Sequence, residues 1–165
     1  MDLGYLNVLP EWNDMRFHDS EGDEWKNVSG QRLAAKMLYE KWREVFGLVM
    51  AFADNLATDS DSEETETHEQ TTKRFIFENA MIIGPKLMSA AGTDLYILQM
   101  ENASIIRANA RQMMEQVGFA VLMGFSEESY KEVITEAINQ FRELFKNWVA
   151  TFEKDGIEDE WGLFI

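Results

Sequence analysis

Residues 93–123 read TDLYILQMENASIIRANARQMMEQVGFAVLM. The pattern predicts a long helix that is apolar on most sides and carries amides where a core is expected to be oily. Ile106, Met113 and Ala120 recur every seven residues, and so do Ala103, Ala110 and Val117. Seven residues is nearly two helical turns, so each set forms a ladder along one side. The alanine ladder allows a neighbouring helix to approach closely. Asn102, Asn109 and Gln116 form a third, polar ladder at the same interval. Amides bordering a core need hydrogen-bond partners, since each unmet group costs roughly 1–3 kcal/mol. Three readings stand for this ladder: amides that make interhelical bonds setting register or that line the edge of the bundle, an interface pairing amides across a two-fold axis, or a polar ligand pocket near Pro85.

Working outward, residues 31–57 predict a helix. Ala35, Leu38, Trp42, Val45, Val49, Phe52 and Leu56 keep a 3-4 spacing, and Ser29 is its expected N-cap. Residues 70–91 predict a second helix on Ile76, Ala80, Ile83, Leu87 and Ala90. Pro85 inside it removes a backbone donor, so a kink or a break is expected there. A buried strand over residues 74–83 is the competing reading, from the run of Phe and Ile. Gly92 is expected to end this helix and Thr93 to cap the next. Gly124 closes residues 93–123, and Ser126 is the expected cap of a last helix whose stripe is Ile134, Ile138, Phe141, Phe145, Trp148 and Phe152.

The predicted fold is all-α, an antiparallel up-down-up-down four-helix bundle with an irregular or extended N-terminal arm and a C-terminal tail. The expected organisation is an arm over 1–30 packed on the bundle, the bundle over 31–154, and an acidic aromatic tail over 155–165. Residues 4–10 and 157–165 are candidates for a two-stranded ribbon.

The chain has 165 residues, sufficient for one domain with a proper core. At 45% hydrophobic and 27% charged it belongs with globular chains. It has no cysteine, which excludes disulfides and thiolate metal sites and fits an expected cytoplasmic location. Neither a signal peptide nor a membrane span is expected. The net charge is −15. That sign disfavours nucleic acid and anionic membranes and leaves a basic protein partner open. The excess is uneven: residues 1–30 carry −5, 58–69 carry −6 and 153–165 carry −4, while 31–57 carry +1 and 70–152 carry −1. The acidic segments either keep a bundle soluble, dock a basic partner, or hold a cation, although residues 58–69 lack the calcium-loop pattern.

Catalytic combinations are missing. The two histidines, His18 and His68, have no Glu three residues before them, so the di-iron pattern is absent. No nucleophile elbow, phosphate loop or dinucleotide fingerprint occurs. No catalytic residue, cofactor or metal ligand is assigned. Glu78, Glu101 and Glu115 are a weak alternative carboxylate site for a divalent cation between the second and third helices. Arg107, Arg111 and Glu115, four residues apart, read as a surface charge stripe, with a small-anion site near Tyr96, Met100 and Met114 as the sharper option. The expected function is a non-enzymatic protein–protein interaction or regulatory module. Its partner is expected to be a protein, basic in the charge reading, with a homodimer as a further expectation. The candidate interface residues are Asn102, Asn109, Gln116, Trp161 and Phe164.

Overall fold

The computed structural model describes residues 9–14, 25–56 and 67–164. They form an all-α four-helix bundle: α1 (Trp25–Asp54), α2 (His68–Ala91), α3 (Tyr96–Leu122) and α4 (Glu128–Val149). Each helix packs on its neighbours in sequence, and α1 also packs on α4. The α2–α3 seam is the most extensive and the α3–α4 seam the slightest.

The apolar stripes meet in one core. All seven stripe residues of α1 and its C-terminal flank are buried, as are Ile76, Ala80, Ile83, Leu87 and Ala90 of α2. A large apolar side chain buried in this way contributes about 1.5–3 kcal/mol. Trp42 of α1 lies 5.5 Å, centroid to centroid, from Phe141 of α4. Phe152, past the end of α4, meets Trp148 edge-on at 4.7 Å. The strand reading of residues 74–83 is overturned, because this run lies wholly within α2. α2 also runs unbroken through Pro85, which is exposed.

Helix boundaries differ from expectation for identifiable reasons. α1 starts at Trp25, so Ser29 and Gly30 lie inside it and Ser29 is not its cap. One interior glycine costs about 1 kcal/mol, less than a single buried side chain on the same stripe gains. α2 starts at His68 with a capping box: Gln70 donates its N–H to Thr67 Oγ1 and accepts the Thr67 N–H through Oε1. Thr93 is not the cap of α3. That position is Leu95, whose N–H donates to Thr93 Oγ1 at 3.2 Å. Ser126 does not cap α4 either; Glu127 holds the position without a side-chain bond. Gly124 ends α3 as expected. Its φ of +77° lets the Phe125 N–H reach Ala120 O and its own N–H reach Val121 O, satisfying two terminal carbonyls.

Residues 9–12 pack against α1 and α2. Tyr39 donates its hydroxyl to Pro10 O at 2.7 Å, and Trp12 rests on the Tyr39 ring. Leu9 is buried over Gly84, where a Cβ would come within 2.6 Å of Leu9 Cδ2. Gly84 is therefore the notch in α2 that admits the arm. The ribbon expectation fails on its C-terminal side, since residues 157–164 contain no strand; residues 4–8 lie outside the described residues. So does most of the acidic 58–69 link.

Candidate functional site

Two surfaces stand out. The first is a groove of about 310 Å³ along the slight seam between α3 and α4. Ile106, Ala110 and Met114 of α3 form its floor with Ile138, Phe141 and Phe145 of α4. Spacings of three and four residues bring each trio to one side of its helix, and the small Ala110 leaves room in the middle. Arg107, Arg111 and Glu115 of α3 and Arg142 of α4 complete the lining. All four are exposed, and none of their side chains makes a hydrogen bond or ion pair among the described residues. The charge stripe read from spacing alone is thus not a set of intrahelical pairs. Its two arginines belong to a three-arginine rim, the third of which, Arg142, comes from α4. In a chain of net charge −15, this is a local patch of the opposite sign.

The second surface is the tail. Asp159 organises it as a turn: Oδ1 accepts the Trp161 N–H at 3.2 Å, Oδ2 the Leu163 N–H at 2.8 Å, and the backbone carbonyl the Gly162 N–H at 2.9 Å. Short acceptors of this kind replace solvent around a bent backbone. Gly162 sits at φ +67°, a region that disfavours residues with a Cβ. The turn holds Trp161 84% and Leu163 74% exposed, with Ile157 exposed and Phe164 half-buried beside them. The tail is anchored at its root, where Asp155 Oδ2 accepts the Tyr96 N–H and Oδ1 accepts the Ile157 N–H, each at 3.0 Å. These two backbone donors hold the Asp155 carboxyl below its ordinary value.

The remaining candidates do not converge. Asn102 is buried and Asn109 half-buried, yet each donates to its own helix, to Leu98 O at 2.8 Å and Ile105 O at 2.9 Å. The Gln116 side chain is half-buried and makes no hydrogen bond among the described residues. Asn102 and Asn109 thus make no interhelical hydrogen bond among the described residues. That work falls to Gln99, which is 1% exposed and lies off the ladder. Its Nε2 donates to Gln31 Oε1 of α1 and to Thr93 O, while Gln31 Nε2 donates to Thr151 O. Glu78 is exposed and paired with Arg74, Glu101 is exposed on α3, and Glu115 stands on the groove rim. Among the described residues, no three His, Asp or Glu side chains are placed to hold a metal ion.

No helix among the described residues is long and apolar enough to cross a membrane. No family model, curated protein or solved structure matches this chain.

Proposed function

We propose that this chain is a non-enzymatic protein–protein interaction module that engages a protein partner through its C-terminal turn, residues 157–164. One observation carries the reading: the Asp159 turn fixes the backbone while leaving Trp161 and Leu163 in solvent. Tryptophan concentrates binding energy when it is buried at the centre of an interface. A backbone already held in place loses less entropy on binding. Glu158, Asp159 and Glu160 directly precede the aromatic anchor, so a partner surface carrying positive charge is favoured electrostatically. A cytoplasmic location belongs to the same reading and is supported by the lack of any cysteine. The second reading is a ligand- or divalent-metal-binding enzyme with a carboxylate site between α2 and α3; Glu78, Glu101 and Glu115 are exposed, and among the described residues no three acidic or histidine side chains are placed to hold a metal, so the interaction reading is preferred.

The test is tail-dependent capture from the native host. The full chain is used as bait beside Trp161→Ala/Leu163→Ala, with circular dichroism confirming that both are folded. The double variant is expected to lose proteins that the wild-type chain retains. Identical captured sets would overturn the reading.

A further inference from the structure

We infer that the α3–α4 groove receives the tail, residues 157–164, of a second copy of this chain. The inference rests on the reading of the tail as a binding element and names its partner.

The two surfaces complement each other in both polarity and charge. The groove has an apolar floor and a rim of three arginines, Arg107, Arg111 and Arg142, against one carboxylate, Glu115, so the rim is net positive; none of the four side chains is paired among the described residues. The tail presents Ile157, Trp161 and Leu163 to solvent, with the acidic run Glu158, Asp159 and Glu160 between Ile157 and Trp161. Two copies of a chain carrying −15 repel each other overall. Contact between tail and groove is a place where that repulsion becomes local attraction. Arginine suits such a rim, because its planar guanidinium pairs with carboxylates and stacks on aromatic faces.

In the folded molecule the groove does not hold its own tail: the tail root is fixed where Asp155 accepts the Tyr96 N–H, and Trp161 and Leu163 remain exposed. A second copy can bring its tail to the groove from outside. If each tail enters the other groove, the contact repeats about a two-fold axis and closes, and each contact raises the effective concentration of the other.

Sedimentation velocity on the full chain tests this. At about 100 µM the wild-type chain is expected to be dimeric, dissociating on dilution and in high salt. Trp161→Ala/Leu163→Ala and Arg111→Glu each weaken the dimer about tenfold or more. Arg74→Glu, the same charge change on α2 away from the groove, leaves it within about twofold. All these side chains are exposed, so folding is expected to survive, and circular dichroism checks it. A wild-type chain that stays monomeric overturns the inference, as does a dimer indifferent to both the tail and the Arg111 variants. A monomer whose tail still captures a host protein removes the second copy as partner while leaving the interaction module standing.

Discussion

Asp155 Oδ2 accepts the backbone N–H of Tyr96 at 3.0 Å, so a residue beyond the end of α4 caps the first turn of α3. The cap position of α3, Leu95, offers no side-chain acceptor of its own. An anion at a helix N-terminus also meets the positive end of the helix dipole. The same carboxylate fixes the root of the exposed tail through the Ile157 N–H.

The first prediction follows from that carboxylate. Its pKa is lowered in the folded chain, so its contribution to stability is fully present above the ordinary Asp range, about pH 4, and is lost as pH falls through the lowered folded value. Asp155→Ala is therefore expected to lower the melting temperature at neutral pH, with the gap to wild type closing in acid. Thermal unfolding followed from neutral pH to about pH 2 measures the gap. An unchanged gap across that range would show that the charge is not what matters.

Gly84 and Leu9 supply a second. At Gly84 an alanine Cβ would meet Leu9 Cδ2 at 2.6 Å, so that buried side chain must be pushed aside. Gly84 also precedes Pro85, where a Cβ is disfavoured in helical backbone, so the usual gain of alanine over glycine is offset. Gly84→Ala is expected to destabilise the wild-type chain by about 1 kcal/mol or more. In a Leu9→Ala background the obstruction is gone, and the same change should cost measurably less. Urea denaturation of the four chains in the cycle measures the coupling, and simple additivity would sink the notch interpretation.

The amides separate into two kinds, which stability measurements distinguish. Gln99 joins α3 to α1 through Gln31. Gln99→Ala removes those bonds and opens space in the core, so a loss of about 2 kcal/mol is expected. Asn109 bonds only to Ile105 O within its own helix. Asn109→Ala trades that bond for better helix propensity and should leave stability within about 0.5 kcal/mol. Chemical denaturation reads both, and a large loss at Asn109 would restore the ladder as a register device.

The dispersed glutamates lead to a fourth prediction. Glu78 faces solvent and pairs with Arg74 at 3.2 Å. Glu78→Gln is expected to cost only a few tenths of a kcal/mol, as for other exposed pairs one helical turn apart. Magnesium or manganese at millimolar concentration should not shift the melting temperature of either chain. A metal-dependent shift abolished by Glu78→Gln would revive the carboxylate alternative.

Much of the fold was legible in the chain itself, because helix formation and amphipathic spacing are local properties. The stripes of α1, α2 and α4 run in steps of three and four, and nearly all their residues are buried. Gly124, which alone can relax at φ +77° without a Cβ penalty, marks the end of α3 from sequence. The candidate site was only half legible. Arg107 and Arg111 share one helix, and their four-residue spacing already placed them together. Trp161 announced itself as an aromatic among acids, but not the turn that leaves it exposed.

By itself, then, the sequence determined four helices, their inward faces, the acidic segments and the absence of familiar catalytic patterns. Only the tertiary structure decided what meets across those helices. Arg142 joins Arg107 and Arg111 because α4 lies beside α3. Asp155 caps a turn fifty-nine residues earlier. Gln99, and not the regularly spaced Asn102, Asn109 and Gln116, bridges to α1. The physical reason is shared: periodicity says which side of a helix turns inward, whereas the partner of a polar side chain depends on which atoms the packing brings within about 3 Å.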